Sequence, residues 1–575
     1  MRHLFFQIVG LAMPLLLAGA DWNETIQPLL SGKVKHLKLE KKTYRTSRRT
    51  TVSGLSDVTI DGNGATLLMS SKDHIFKIED CTNLTIRNLT LDFDPMIFTQ
   101  VRISRVSADG RAIEFEVEKG FPDLTPDLIG NESLSLEVFL PDGTLRTDLG
   151  RLAGKPEIIT PRRGKMQVRL SGKSPLRPGD RIPIGHRFAN VIQTVGGKGH
   201  TFENLTIHSS GCFAVGMRYS AGDDRILRCR VIPGPRPEGA ETDRIRSTNG
   251  DGFNISFARN YPHIIGCEIT GSNDDSINFH AGQIMRLIPL NKKEKRFRII
   301  RPYAVHSERL AELLKNGDTA LLLRRDTGFA PVGKVIIRSF QLSGYQATME
   351  ELAEGFERAK YKSKHRWIPT AYELVLDTGT LPLEGELYLQ PLPNGRPFRI
   401  ADNYFHDHRA RGMRIMVPDG IIENNRIERI TDAAISLGAE FEYWNEAGWV
   451  ENVIVRNNVI RNVGKASIPR IDSYVCGAIC SFVHLKHYRE IPRGHSRLSI
   501  VNNRIEDCPG AGISLCATMN STVSGNIIEH TAYGRTVPGS KFGFRGLSPV
   551  WLIGCESVSG RNMIDGKECE LGEKR

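Results

Sequence analysis

Cysteine is scarce in this chain, and several other signals are missing. The 575 residues contain ten cysteines, and none of them form the Cys-x-x-Cys pair of zinc ribbons and thiol redox sites. There is no long Lys/Arg block with interleaved aromatic residues, so nucleic acid is not expected as a partner despite the net charge of +12. After residue 20 no apolar run is long enough to cross a bilayer. Zinc modules, nucleic-acid-binding proteins and integral membrane proteins are therefore disfavoured.

The first twenty residues have the pattern of a leader. A short basic start precedes a mostly apolar run from Leu4 to Leu17, and small residues end the segment at Ala18-Gly19-Ala20. This order is typical of a secretory signal peptide, so we expect cleavage after Ala20 and export to the bacterial periplasm or the medium. A membrane anchor is the alternative, but the run is short and Pro14 interrupts it.

A short motif recurs along most of the chain, in which a pivot residue is followed two places later by an apolar residue. Neighbouring copies stand 22 to 24 residues apart, with longer steps where loops intervene. Units of this length with short alternating strands cannot bury their inner face alone, which favours a stacked parallel β-helix. A leucine-rich horseshoe is disfavoured because its leucine signature is absent. We expect the pivot asparagines to form an internal amide ladder; they are Asn403, Asn425, Asn458, Asn503 and Asn526.

The repeat is interrupted twice by longer alternating strands with hairpin turns. These stretches resemble small antiparallel barrels or sandwiches inserted between coils. The predicted fold class is all-β, a right-handed parallel β-helix with two such insertions. The predicted organisation is a signal peptide (1–20), N-terminal coils (21–94), a first insertion (95–190), catalytic coils (191–282), a second insertion (283–399), C-terminal coils (400–550) and a tail (551–575).

Two similar pieces within residues 247–281 share an offset of 24 residues. Equivalent residues on adjacent coils lie about 4.8 Å apart, so this offset predicts Asp251 beside Asp275 and Asn254 beside Asn278. The apolar residues that alternate with them should face the core. Asp274 replaces Gly250 of the preceding coil and adds a third acid to an already crowded pair. A sequence selected only for stability would avoid this arrangement.

Three carboxylates at this spacing suit glycoside hydrolysis with inversion, in which one acid protonates the leaving oxygen and another activates water. We expect Asp274 to be the acid and Asp251 with Asp275 to be the base. The reversed roles of Asp274 and Asp275 stay open. A calcium site is the structural alternative, but neither a metal nor a cofactor is predicted.

Residues near this acidic group are candidates for sugar binding. Alignment of the coil after the second insertion puts Arg411 on the row of the two stacked acids, and puts Arg414 on the row of Asn254 and Asn278. The loop 438–449 adds carboxylates and aromatic residues, which suit sugar hydroxyls and sugar C–H faces. The predicted substrate-binding residues are Asn254, Asn278, His280, Arg411, Arg414, Glu440, Glu442 and Trp444.

The pieces STNGDGFNI (247–255) and SNDDSINFH (272–280) resemble motifs of polygalacturonase-type β-helix hydrolases. The chain resembles glycoside hydrolase family 110 more closely, the bacterial exo-acting α-1,3-galactosidases of the type that cleaves blood group B. This resemblance implies a β-helix with two inserted barrels and places the family's three acids on Asp251, Asp274 and Asp275. It implies terminal α-galactosyl oligosaccharides or glycoproteins as substrates. The Gly-His-Gly and Arg-Ile-Lys motifs of pectinases are not evident, which argues against a pectinase.

Three functions therefore compete. The favoured one is an exported inverting exo-α-1,3-galactosidase. The second is another β-helix carbohydrate enzyme, such as a polygalacturonase-like hydrolase, a lyase or an epimerase. The third is a non-catalytic glycan-binding protein. The sequence leaves open whether a fucose branch is required, how the cysteines pair, and whether the protein forms a homodimer.

Overall fold

The computed structural model describes residues 20–170, 175–280, 284–303, 309–310, 314–355, 368–442, 446–466, 477–484, 491–534 and 548–571. The predicted signal peptide, apart from Ala20, lies outside the described residues. Two stacks of mainly parallel strands and two antiparallel sheets account for nearly all of the regular secondary structure in the described chain. The predicted fold class is confirmed.

One face of the stack, here called the site sheet, has eleven strands among the described residues. Consecutive strands of this sheet are parallel neighbours, and this holds across both insertions, which only lengthen the connection. The strands are Thr50–Ser53, Phe76–Glu79, Ile192–Val195, Val215–Arg218, Phe253–Ser256, Ile277–His280, Met413–Met416, Ile435–Glu440, Gly477–His484, Ala511–Cys516 and Val550–Ile553.

The other faces belong to a second sheet, which has 24 strands among the described residues. Its strands are Ala20–Asp21, His36–Lys38, Thr43–Thr46, Thr59–Met69, Thr85–Phe93, Thr201–Glu203, Thr206–Ile207, Arg225–Leu227, Arg230–Val231, His263–Ile265, Glu268–Thr270, Phe398–Ala401, Tyr404–His408, Gly420–Glu423, Arg426–Ile430, Val453–Arg456, Val459–Arg461, His495–Ser496, Ser499–Val501, Arg504–Cys508, Thr518–Ser524, Ile527–Thr531, Glu556–Ile564 and Lys567–Leu571. Apolar side chains from both sheets form one continuous core.

Each insertion contributes one antiparallel sheet. The first has six strands in the order Leu134–Leu136, Leu152–Thr160, Arg163–Leu170, Ala112–Val117, Thr99–Val106 and Arg181–Ile184. The second has seven, in the order Met285–Arg286, Leu387–Pro391, Thr319–Arg324, Ala330–Leu342, Ile368–Asp377, Arg296–Tyr303 and Ile288–Asn291. Each insertion has its own apolar core.

Helices are short in the described chain. They are Trp22–Leu30, Pro126–Ile129, Met349–Gly355 and a 3-10 turn at Arg325–Thr327. The first covers the start of the stack, where Trp22, Ile26 and Leu29 are buried. None of the helices in the described ranges has the length and apolar character to cross a membrane.

The predicted asparagine ladder is confirmed. The side-chain amide of Asn403 donates to the side-chain oxygen of Asn425 (2.8 Å), and the same bond runs from Asn425 to Asn458 and onward (2.9 Å each). The ladder continues past Asn526 to Asn562, to which Asn526 donates at 2.8 Å. Since a buried amide without a partner is costly, this chain of bonds fixes the stacking of the coils.

The left-handed turn and the ladder use different residues. Asn424, Asn457 and Asn502, each directly before a pivot, have φ between +55° and +56°. Asparagine tolerates this region of backbone space better than most residues do. The doubled asparagine of the motif therefore combines a turn residue with a ladder residue.

The range predicted as a tail contains ordered strands as far as Leu571. Glu556–Ile564 stacks on Thr518–Ser524 and Ile527–Thr531, and it carries the ladder residue Asn562. The sequence signal is weak here because the motif reads Arg-Asn-Met (561–563), without the doubled asparagine.

Candidate active site

Three turns at the edge of the site sheet bring the candidate acids together. Residues 253–256 pair in register with 277–280, and these pair with 413–416. The predicted 24-residue offset is therefore confirmed. Phe253, Ile255, Ile277 and Phe279 belong to the core, as expected. Just before these strands, Asp251, Asp275 and Arg411 stand on one row.

Backbone amides hold the stacked acids in place. The amide of Asp275 donates to Oδ1 of Asp251 (3.3 Å), and the amide of Arg411 donates to Oδ1 of Asp275 (2.9 Å). The guanidinium of Arg411 also grips Asp275 with Nε and Nη2, at 2.8 and 2.9 Å. This bidentate pair explains how a carboxylate that is 1% exposed is retained at this position.

Asp274 lies beside the row and is held by two other arginines. Its Oδ2 accepts from Nη2 of Arg187 at 2.9 Å, and its Oδ1 lies 3.1 Å from Nη2 of Arg409. The same guanidiniums bind backbone carbonyls, those of Asn249 and Asn273 respectively. Both oxygens of Asp274 are thus engaged by positive charge.

The pKa directions of two acids are opposite. Burial raises the pKa of Asp251 well above its ordinary value, and the carboxylates of Asp274 and Asp275 raise it further. Burial also opposes ionisation of Asp274, but Arg409, Arg187 and Arg411 outweigh it and hold the pKa of Asp274 below its ordinary value. The sequence prediction made Asp274 the acid, whereas these directions favour a proton on Asp251.

The next row of stacked residues, three positions after the acids, carries buried polar atoms that lack hydrogen bonds. The side-chain oxygens of Asn254 and Asn278 are buried without a hydrogen bond, as are Nε and Nη2 of Arg414. Oε2 of Glu446 lies 3.4 Å from Nη2 of Arg414, so these two atoms form an ion pair, although neither has a hydrogen bond. Burial raises the pKa of Glu446 against the effect of Arg414. Unpaired buried polar atoms are costly, so this row suits a polar ligand.

These groups line one cavity of about 420 Å³. Seven predicted site residues contribute to its wall: Asp251, Asp274, Asp275, Asn254, Asn278, Arg411 and Arg414. An acidic group of this kind is also a candidate cation site, because one oxygen from each of the three acids lies within 4.8 Å of the others. However, arginine side chains already approach both oxygens of Asp274 and both of Asp275.

Three other predicted residues are described but do not line the cavity. The ring of His280 is buried against Phe257, and burial, with Arg218 and Arg414, holds the pKa of His280 well below its ordinary value. Glu440 is buried at the end of its strand, and Glu442 follows it. On the strand Ile277–His280, Asn278 lines the cavity, whereas His280 packs against the ring of Phe257. Trp444 lies outside the described residues.

Arg151, Arg187, Arg409 and Glu446 line the cavity but are absent from the predicted set. Arg409 could have been found, because the offset that aligns Arg411 with Asp275 also aligns Arg409 with Asn273. Glu446 lies in the loop 438–449, from which other residues were chosen. Arg151 and Arg187 come from the first insertion and its exit, where no repeat provides a register.

Comparisons with known proteins were made by sequence and by structure. No protein-family profile matches the chain. It is 22% identical over 419 residues to an α-1,3-galactosidase A of Bacteroides fragilis. This alignment covers 70% of this chain and 63% of that protein. It is 21% identical over 458 residues to an α-1,3-galactosidase B of Bacteroides thetaiotaomicron, covering 74% and 66%. The resemblance to bacterial α-1,3-galactosidases is confirmed, although the chain spans less than two thirds of the length of the B. fragilis protein.

Among solved structures, similarity extends to a family 28 exopolygalacturonase of Yersinia enterocolitica, with a TM-score of 0.39 and 11% identity over 94% of this chain and 75% of that one. A family 87 α-1,3-glucanase catalytic domain gives a TM-score of 0.41 and 10% identity, over 92% and 62%.

Proposed function

We propose that this protein is an exported exo-glycosidase that hydrolyses terminal α-1,3-linked galactose from oligosaccharides or glycoproteins. The similarity to proteins named α-1,3-galactosidase suggests the sugar and the linkage. The observation that carries the proposal is a cavity in which three carboxyl groups adjoin buried polar atoms of Asn254, Asn278 and Arg414 that have no hydrogen bond. A polyhydroxylated sugar would satisfy those atoms.

Export rests on the leader pattern of residues 1–20. N-terminal sequencing of protein recovered from the producing cells tests it. A mature chain that begins at Asp21 would support export, and a retained leader would contradict it.

In the proposed reaction, Asp251 is the general acid and donates its proton to the glycosidic oxygen as the C–O bond breaks. Asp275, with Asp274 beside it, accepts a proton from the water that attacks the anomeric carbon from the opposite face. The released galactose has the inverted anomeric configuration, and the leaving saccharide carries the proton that Asp251 has lost. Arg411 holds Asp275 in position through the reaction.

Ion pairing favours attack by water over a covalent intermediate. Both oxygens of Asp274 and both of Asp275 face guanidiniums, which makes either group a poor nucleophile. The acids lie closer together than the roughly 6.5–9.5 Å of inverting enzymes with two carboxylates. We infer that two of the three acids hold the attacking water between them, so that a wide separation of two carboxylates is not needed here.

The alternative assignment, with Asp274 as the acid, is distinguished by leaving-group dependence. An acid is needed less when the leaving group is a good one, such as a nitrophenolate. Asp251→Asn should therefore reduce kcat about 10²–10⁴-fold on a disaccharide and much less on an aryl α-galactoside. If Asp274→Asn shows this selective pattern and Asp251→Asn does not, Asp274 is the acid.

Hydrolysis of a panel of glycans tests the proposed function. The panel contains galactose linked α-1,3, α-1,4 and α-1,6 to galactose, and the fucosylated blood group B trisaccharide. We expect free galactose from α-1,3-linked substrates only, and no activity from Asp275→Asn. The inclusion of linear and fucosylated substrates decides whether the branch is required. If no α-galactoside is cut, the protein is not an α-galactosidase, and binding without turnover would favour a glycan-binding role.

A further inference from the structure

The cavity that holds the three acids has two unlike ends. At one end, Asn254, Asn278 and Arg414 are only 5–7% exposed. At the other end, beyond the acids, lie Arg187, which is 44% exposed, and Arg151, which is exposed on the first insertion. Asn254 and Asn278 follow the acids along their strands, whereas Arg187 binds the carbonyl of Asn249, which precedes Asp251. The acids therefore lie between a closed end and an open end.

The closed end suits the terminal sugar, and the open end suits the rest of the glycan. The buried polar atoms without hydrogen bonds lie at the closed end, where the hydroxyl groups of a single sugar ring can bond to them. A saccharide attached to that ring must leave the cavity past Asp274, whose side chain is 26% exposed, and then past Arg187 and Arg151. The open end is therefore where the second sugar meets the protein.

Positive charge is concentrated at this open end. Arg151, Arg187 and Arg409 line this part of the cavity, and the last two both contact Asp274. Arg169 adds a fourth cation nearby. It is exposed on the strand Arg163–Leu170, which pairs with the strand Leu152–Thr160 that follows Arg151. Burial lowers the pKa of Arg151, and the neighbouring Arg409 lowers it further, which is a sign of crowded positive charge. The whole chain carries +12, which also attracts anions.

We propose that the open end is a subsite for an anionic group, a sulfate ester or a carboxylate, on the saccharide next to the terminal galactose. The subsite comprises Arg151 and Arg187, with Arg169 at its rim. Arginine suits this task because its planar fork matches the oxygens of sulfate and carboxylate. The inference rests on the proposed α-galactosidase function and specifies the substrates of that same site. The first insertion then contributes to specificity, because it supplies Arg151 and Arg169.

A matched series of disaccharides tests the subsite. Each has a terminal α-1,3-linked galactose, and the second residue is unmodified galactose, galactose sulfated at one of its free positions, or a uronic acid. We expect kcat/KM to be about tenfold higher for at least one charged member at low salt, and this preference should shrink as ionic strength rises. Sulfated and uronic acid arms distinguish the two sources of negative charge.

Two variants sharpen the test. Arg151→Gln should lower the ratio of kcat/KM for charged over neutral substrate about fivefold, which corresponds to one exposed ion pair of about 1 kcal/mol. The matched control is Arg163→Gln, on the same inserted sheet and 54% exposed, outside the cavity lining. This control should leave the ratio unchanged.

The outcomes separate the two proposals. Equal kcat/KM for charged and neutral members, or a preference that Arg151→Gln does not alter, would overturn the anionic subsite while leaving the α-galactosidase intact. Failure to cut any member of the series would instead contradict the proposed function itself.

Discussion

Replacing Asp251 with asparagine should stabilise the protein while it lowers kcat on a disaccharide substrate. The folded state raises the pKa of Asp251 above the ordinary 3.8, first through burial and then through Asp274 and Asp275. A raised carboxyl pKa contributes stability below the unfolded pKa, and that contribution is lost as pH rises toward the folded pKa. Between the unfolded pKa and the folded pKa, folding therefore requires a proton that the unfolded chain does not hold. Asparagine has no such requirement.

The size of the effect follows from proton linkage. Each pH unit between the unfolded pKa of 3.8 and pH 7 lowers the free energy of unfolding by at most about 1.36 kcal/mol. The penalty that asparagine removes therefore cannot exceed about 4 kcal/mol at pH 7. Part of this gain is lost because Asp251 accepts one hydrogen bond from Asn254 and one from the backbone amide of Asp275 on different oxygens, whereas the new amide has only one oxygen. We expect a net gain of about 1–3 kcal/mol in the free energy of unfolding, in the range of known stabilising active-site substitutions.

Asp274→Asn is the matched control, because its expected change in the free energy of unfolding has the opposite sign. The arginines hold the pKa of Asp274 below its ordinary value, so its contribution to stability is present above the unfolded pKa and is lost as pH falls. Loss of its two arginine partners should cost about 1–3 kcal/mol at pH 7, with the difference from wild type shrinking below about pH 4. Thermal unfolding from about pH 2 to about pH 8 measures both variants and covers both pH windows. A stabilised Asp274→Asn together with a destabilised Asp251→Asn would refute the assignment of the proton to Asp251.

Three further predictions concern the site and the stack. Arg411→Ala leaves Asp275 buried and unpaired, so we expect at least a 100-fold loss of kcat and about 3–5 kcal/mol of destabilisation, with Arg411→Lys intermediate, measured by steady-state kinetics and thermal unfolding; near wild-type kinetics for Arg411→Ala would show that the pair is dispensable. Asn458→Ala removes the acceptor of Asn425 and the donor to Ile422 and should cost about 2–4 kcal/mol, whereas Arg461→Ala, exposed on the next strand, should change stability by less than about 0.5 kcal/mol; equal effects would contradict the role of the ladder. Chelation with EDTA should leave kcat/KM unchanged, because arginines already occupy the oxygens of Asp274 and Asp275; activity that is lost with EDTA and restored by calcium would favour a lyase-type mechanism.

Periodicity explains which features could be predicted from the sequence. A coil that repeats after 24 residues fixes which residues stack, so Asp251, Asp275 and Arg411 share a row as expected. The ladder of Asn403 to Asn526 follows from the same argument. These predictions succeed because stacked coils convert sequence distance directly into spatial proximity.

The remaining features depend on contacts that the repeat does not encode. Arg187 reaches Asp274 from the end of an insertion, where no register links sequence to position. His280 continues the polar row in sequence, but the ring of Phe257 packs against it. The proton preference of Asp251 arises from burial and from the charges of Asp274 and Asp275. Asp274 stays ionised because of arginines, and two of these, Arg187 and Arg409, were not predicted.

The central claim, that three acids in this cavity hydrolyse a terminal α-galactoside with inversion, is tested most directly by proton NMR of the reaction as it begins. A disaccharide with terminal α-1,3-linked galactose is mixed with the enzyme, and the anomeric signals of released galactose are followed before mutarotation equilibrates them. The account predicts that β-galactose appears first. Initial release of α-galactose would contradict the single displacement by water, and no release would contradict the glycosidase itself.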